Sequence, residues 1–163
     1  MKVDFHSHTW HSSDSLTSIE ALIAAARKRG LNKLVVTDHN SIAGALEAHA
    51  AAPDLVIVGE EVQTTQGEFL AAFVTEPLPK GLVPAEALAR LKAQGAFISV
   101  SHPFDPQRSG WPLETLEWLA SQVDAIEVLN ARVLKAEYNA EALEFARRHG
   151  LPGTAGSDGH HPS

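Results

Sequence analysis

The chain has 163 residues, 44% of them apolar and 20% charged, with no cysteine and a formal net charge of −7. This length suits one domain with a full core, and the composition excludes a disordered chain. Without cysteine there is no disulfide or thiolate site, so a transition metal has only His, Asp and Glu to bind. The acidic balance argues against a broad electrostatic grip on long nucleic acid. No apolar run approaches the ~20 residues that span a bilayer, and the N-terminus lacks a signal-peptide apolar region, so we expect no membrane association and a cytoplasmic address. Nine histidines stand beside a single Tyr and a single Met, and that skew directs attention to where the histidines fall.

In chain order, Lys2 to Phe5 reads as a short strand that delivers His6 and His8 at its end. Thr17-Ser18-Ile19-Glu20 is a capping-box pattern opening a helix, with Ile19, Leu22, Ile23 and Ala26 at helical spacing and Gly30 as a left-handed stop. Lys33 to Thr37 is a β-branched strand ending at Asp38-His39-Asn40. An alanine-rich helix covers about Ile42 to Ala51, closed by Pro53. Asp54 to Gly59 is a third strand followed by Glu60-Glu61, and Glu68 to Thr75 a fourth, returning antiparallel after Thr64-Thr65-Gln66-Gly67. A helix from Pro84 to Gln94 stops at Gly95, and the strand Ala96 to Val100 ends at Ser101-His102-Pro103. Pro112 starts another amphipathic helix. Asp124 to Leu129 is strand six, running into Asn130-Ala131-Arg132. Leu134 to His149 is the last helix, and Gly153 to Gly156 a seventh strand ending at Ser157-Asp158-Gly159-His160. Alternating strands and helices with short connections predict a single α/β domain built on parallel strands.

Two imidazoles at i and i+2 on extended backbone, as in His6-Ser7-His8, point to the same side and can reach one divalent ion. Alone, such a pair is equally a surface feature. The polar residues at other strand ends change its weight. His39 follows strand two, Glu61 strand three, His102 strand five, and Asp158 and His160 strand seven. Glu68 opens an antiparallel strand four, which returns it to the same rim. In a parallel α/β barrel the carboxyl ends of the strands share one face, and sites are built there. Glu61 is preferred to Glu60 because neighbouring strand residues face opposite sides. Asp38 is either the N-cap of the following helix or a partner of a ligand, and Glu127 and Asn130 sit at the end of strand six as supporting groups.

Together, His6-Ser7-His8-Thr9, Thr37-Asp38-His39-Asn40, Gly59-Glu60-Glu61, Ser101-His102-Pro103 and Ser157-Asp158-Gly159-His160 resemble the polymerase and histidinol phosphatase (PHP) domain, over essentially the whole chain and in the family's order. The resemblance implies a distorted (β/α)7 TIM-like barrel with two or three divalent ions (Mn, Zn or Fe) that hydrolyses phosphoester bonds. It also implies ligand roles. His6 and His8 would share a first ion with Asp158. Glu61 would bridge that ion to a second, also held by His102, and Asp14, His39 and His160 would hold a third. Ser12-Ser13-Asp14 allows more than one register for Asp14. Many relatives carry a His where Glu68 stands; a carboxylate there would favour manganese or iron over zinc. The chain stops three residues after His160, whereas relatives normally continue, so the barrel is open, completed by a partner chain or part of a longer one.

Paired ions can clamp an in-line displacement and lower the pKa of bound water towards ~7, supplying a hydroxide nucleophile without Ser or Cys. No glycine-rich phosphate loop or Gly-x-Ser-x-Gly elbow points to a rival mechanism. Arg108, after His102, and Arg132, after strand six, lie on the expected active face as phosphate contacts. The expected partner is a small phosphorylated substrate, a phosphomonoester or nucleotide. The alternatives are nuclease or oligonucleotide-trimming activity, or a noncatalytic metal-stabilised regulatory domain. The ligand pattern encodes neither substrate identity nor oligomeric state.

Overall fold

The computed structural model describes residues 1–161. Its elements are β1 (Val3–Asp4), α1 (Ile19–Lys28), β2 (Lys33–Val36), α2 (Ala43–Ala51), β3 (Val56–Gln63), β4 (Glu68–Ala72), α3 (Pro84–Ala93), β5 (Phe97–Val100), a 3-10 turn (Pro106–Arg108), α4 (Leu113–Leu119), β6 (Ala125–Asn130), α5 (Ala136–His149) and β7 (Gly153–Gly156). The strands form one sheet in sequence order. Neighbours are parallel except at β4, which runs antiparallel to both β3 and β5. Beyond the paired strands, Phe5 N donates to Ala155 O at 3.0 Å, Asp158 N to His6 O at 2.8 Å and His8 N to Gly159 O at 3.1 Å. These bonds bring β7 beside β1, so the sheet curls into a nearly closed seven-stranded α/β barrel. Among the described residues, the last strand thus reaches the first within the one chain.

Local chemistry explains the elements. Ser18 caps α1 by accepting from Ala21 N, one residue later than the capping box implies, and the left-handed Gly30 (φ +68°) ends the turn. The alanine-rich α2 has no side-chain cap; its small residues let it approach the barrel closely. A Cβ on Gly44 would lie 2.2 Å from Asp38 Oδ2 and 2.4 Å from Thr9 Oγ1, so only glycine fits against the loops that carry the site. Two apolar clusters hold the layers together. Ile19, Leu34, Val36, Ala45 and Val56 join α1 and α2 to the first strands, and Phe69, Leu88, Leu91, Ile98, Leu116, Ile126 and Phe145 join α3, α4 and α5 to the later ones.

Strand β3 is longer than the sequence suggests. It continues through Glu60 and Glu61 to Gln63 because its last five residues pair antiparallel with β4, from Gly59↔Ala72 to Gln63↔Glu68. The hairpin thus lifts Glu61 and Glu68 above the parallel part of the sheet. Alternation sends Glu60 the other way, where Leu78 N donates to its two carboxylate oxygens at 3.0 and 3.1 Å. Burial pushes its pKa up to about 7, only partly offset by that N–H. Folded Glu60 therefore keeps its proton across a range in which the unfolded chain gives it up. Its contribution is complete below the ordinary value of 4.5 and falls away as pH rises through about 7, by up to ~3 kcal/mol. Replacing Glu60 with Gln removes this loss. The melting-temperature difference between variant and wild type should grow in the variant's favour from pH 4.5 to 8; a constant difference would contradict the assignment.

Candidate metal centre

The first corner is built by β1. Beyond Asp4 the chain stays extended, so His6 and His8 point together into the barrel while Ser7 points away and donates to Val35 O at 2.9 Å. Both imidazoles are fully buried. Each is held through Nδ1: that of His6 lies 3.0 Å from Glu127 Oε1, and that of His8 lies 3.0 Å from Ser12 Oγ, whose own proton goes to Asp38 Oδ1 at 2.7 Å. A carboxylate, and a hydroxyl already donating elsewhere, can only accept, so the network puts a proton on both Nδ1 atoms and directs both Nε2 atoms inward.

Those two Nε2 atoms are 3.0 Å apart. Glu61 Oε2 lies 3.1 Å from the first and 3.3 Å from the second, and Asp158 Oδ1 lies 3.5 and 3.4 Å from them. Four converging donor atoms need positive charge among them. Burial alone would depress the His6 pKa, but Glu61, Asp158 and Glu127 outweigh it and hold it well above the usual histidine range. His8 is raised in the same way by Asp158 and Glu61. Against the upward push of burial, His6 and His8 keep Asp158 far below the usual carboxylate range. A divalent cation does the work of those protons and displaces them on binding, so the donor set fits one and its affinity should weaken as pH falls.

Glu61 links this corner to two others. Its Oε1 lies 3.1 Å from His102 Nε2 and accepts from Ser101 Oγ at 2.9 Å, and its Oε2 lies 3.3 Å from His39 Nδ1. Glu68 Oε2 is 3.4 Å from His102 Nε2. Burial, reinforced by Glu61, pushes the Glu68 pKa up to about 7. On the solvent side, Asp14 Oδ2 lies 3.0 Å from His160 Nε2 and its Oδ1 3.6 Å from His39 Nε2. The His8 ring packs against both His39 and His160, with centroids 4.6 and 4.2 Å away. The structure therefore gathers all nine candidate ligands, and Asp14 falls in the register that meets His39 and His160.

Both candidate phosphate contacts arrive as well. Arg108 donates to Asp158 Oδ2 and, through its other nitrogen, to Arg132 O at 3.2 Å. Arg132 reaches Asp158 Oδ1 at 3.5 Å and His160 Nε2 at 3.1 Å. Asp38 does not cap α2, whose N-cap is Ile42. It accepts from Thr9 N and Thr9 Oγ1 at 2.7 Å and from Ser12, fixing the loop that orients His8. Ser12 was not legible as a functional residue, because its role depends on a turn that brings it under the His8 ring.

Glu127 and Asn130 both face the interior although they are three apart on a strand, which regular alternation forbids. A β-bulge between Glu127 and Leu129 inserts the extra residue. Glu127 Oε2 thereby accepts from His102 N at 2.8 Å and Asn130 Nδ2 at 3.2 Å while Oε1 holds His6. Close packing enforces this arrangement, since a Cβ on Gly156 would sit 2.3 Å from His6 Cβ and 2.7 Å from Glu127 Oε1. A Glu127→Gln variant leaves one oxygen for three donors. Its divalent-metal affinity, measured by competition with a chromophoric chelator, should fall about 10–100-fold; an unchanged affinity would remove Glu127 from the support of the centre.

These observations define an α/β barrel with a cluster of imidazole and carboxylate groups at the carboxyl ends of its strands. The chain belongs to the PHP family: the PHP domain model matches residues 4–135 and the PHP-associated model residues 136–163. An uncharacterized protein of Methanocaldococcus jannaschii is 32% identical over 146 residues, covering 80% of this chain and 82% of its own length. A second from the same organism is 36% identical over 165 residues, covering 98% of this chain but 65% of its own. Among solved structures, a protein of Bifidobacterium adolescentis provisionally described as a metal-dependent phosphoesterase superposes with a TM-score of 0.82 at 20% identity, covering 99% of this chain and 88% of its own. An amidohydrolase of Chromobacterium violaceum, solved with bound sulfate and no metal, gives 0.80 at 17%, covering 100% of this chain and 89% of its own. At these identities the likeness is one of fold. Among the described residues no helix is long and apolar enough to cross a membrane.

Proposed function

We propose that the protein is a metal-dependent hydrolase that cleaves the phosphoester bond of a small phosphomonoester or nucleotide, using two or three divalent ions. One observation carries the reading: four inward-facing donor atoms, from His6, His8, Glu61 and Asp158, converge beside two guanidinium groups. When bound, the ions supply Lewis-acid charge and a water acidic enough to attack at neutral pH. The chain does the rest. His6, His8 and Asp158 would hold one ion, His102 and Glu68 a second, with Glu61 available to both, and Asp14, His39 and His160 would hold a third. Arg108 and Arg132, anchored at the edge of the cluster on Asp158, bring guanidinium charge to where a phosphate would bind, and Arg108 would exchange its bonds to Asp158 and Arg132 O for the non-bridging oxygens. Barrel walls bury the inner ligands and exclude bulk water, which strengthens each electrostatic contact.

The test is a panel of phosphoesters, including labelled oligonucleotides, offered to protein whose manganese or zinc content has been measured. Release of phosphate from a small monoester is the expected result. Full loading without turnover of any ester would overturn the reading and leave a noncatalytic, metal-binding role. Preferential, salt-sensitive degradation of oligonucleotides would overturn the choice of a small substrate. Glu68 sets the metal preference in this reading. Glu68→His should shift the bound metal from manganese or iron towards zinc, as measured by elemental analysis after growth in mixed metals; unchanged identity and occupancy would sink that role.

A further inference from the structure

Behind the cluster, one candidate ligand has a ring nitrogen with no partner. The His102 ring turns Nε2 towards Glu61 and Glu68, yet its Nδ1 is buried without a hydrogen bond. The other inner imidazoles are braced at this atom: His6 by Glu127, His8 by Ser12, and His160 by Asp158 O at 2.8 Å. Three residues further on, Asp105 is 1% exposed. Its Oδ1 caps the 3-10 turn by accepting from Gln107 N at 3.0 Å, and its Oδ2 is likewise buried with no hydrogen bond. The nearest cation to that oxygen, Arg108 Nε, stands 4.0 Å away, beyond hydrogen-bonding distance.

The two unpaired atoms belong to residues lining one internal gap, between the His102–Asp105 turn and the start of α5, with no room for the centre of a water molecule. Competing partners on its wall are already engaged. Glu127 uses both oxygens, and Asn139 spends its amide on Asn130 N and Asn130 O. The turn is itself closed by Asp105 N donating to His102 O at 3.2 Å, so the two side chains rise from the same tight loop. A buried donor and a buried acceptor left unmade each cost on the order of 1–3 kcal/mol, and water cannot enter to relieve them.

We propose that Asp105 is the positioning residue of His102, its Oδ2 accepting from His102 Nδ1–H when the carboxylate turns towards the ring. The bond fixes the tautomer that presents Nε2 to the cluster and makes the imidazole a stronger ligand. The inference rests on the metal-centre reading above. It gives Asp105 two tasks, one oxygen capping the turn and the other holding the histidine.

Asp105→Ser and Asp105→Asn separate those tasks. Serine caps well but cannot reach His102, and asparagine has a single oxygen for two donors. Both variants, with Tyr138→Phe as a control for the one hydroxyl on the gap's wall, are titrated with Mn2+, and the bound ions are counted by elemental analysis. Asp105→Ser keeps the turn's cap but leaves His102 Nδ1 without a partner, so the metal-free fold should melt at a lower temperature while one ion binds about 10–100-fold more weakly, and Tyr138→Phe should bind as wild type. In 15N NMR of the metal-free protein, at a pH alkaline enough to leave His102 neutral, its Nδ1 should carry the ring proton in wild type and lose that preference in Asp105→Ser. Wild-type Mn2+ affinity and an unchanged His102 spectrum in Asp105→Ser would overturn the proposal. So would a loss of affinity in Tyr138→Phe matching that in Asp105→Ser. If wild type bound no Mn2+ at all, the metal-centre reading would fail, and the NMR result would still decide the His102–Asp105 bond.

Discussion

Replacing Asp158 with alanine should strip the same ion as replacing His8 with alanine, although the two residues lie at opposite ends of the chain. Asp158 Oδ1 is 3.4 Å from His8 Nε2 and 3.5 Å from His6 Nε2, within reach of one cation. Each single variant should therefore hold one equivalent less metal than wild type by elemental analysis, and the double variant no less than either single. Turnover should fall by at least about 100-fold in each, more than is lost when a supporting partner of a ligand is removed. If the double variant lost two equivalents, the shared-ion assignment would be wrong. The metal-free proteins should also differ in acid. Asp158, with a depressed pKa, adds stability that is present above the ordinary carboxylate range and disappears as pH falls through its folded value. Removing it from its histidines leaves buried positive charge unpaired, at a cost of about 3–5 kcal/mol. The variant's deficit should be large near neutral pH and shrink towards acid.

Glu61→Gln should do more damage than any other single substitution. One carboxylate oxygen faces His6, His8 and His39, and the other faces His102 and the Ser101 hydroxyl. Glutamine keeps the shape but offers one oxygen and one N–H2, so it can serve only one side, and its amide brings a donor to atoms that already need an acceptor. Two equivalents of metal should be lost together, with phosphoester turnover at background. Loss of a single equivalent would show that Glu61 serves one ion and that the remaining ligands hold the other without it. In the metal-free variant, the His6 and His102 pKa values should both drop, because Glu61 is among the groups that hold them up against burial. Histidine proton titrations by NMR give that reading independently of catalysis.

Much of this site was open to reading from strand ends. His6, His8, His39 and His102 each follow a short run with β character, Asp158 and His160 follow the small-residue strand Gly153–Gly156, and a parallel arrangement brings such ends to one rim whatever the details of packing. The choice of Glu61 over Glu60 needed only strand alternation. The structure agrees with it, sending Glu60 towards Leu78 and Glu61 into the histidines. Where local pattern misled, longer-range pairing had won. The third strand runs on through its glutamates because β4 is there to pair with it. The helix cap moved from Thr17 to Ser18 because the Trp10 N–H bonds to Thr17 O and keeps that residue in the preceding loop.

Periodicity, turn residues and the absence of cysteine were enough to read the order of the elements, their alternation and the types of donor available. Tertiary structure alone decided which donors meet and how each is held. The bulge that turns Glu127 and Asn130 to the same face, the Ser12–Asp38 brace on His8, the register of Asp14 and the gap that His102 shares with Asp105 all depend on one-residue shifts. Such a shift reverses the direction of a strand side chain while leaving composition and periodicity almost unchanged.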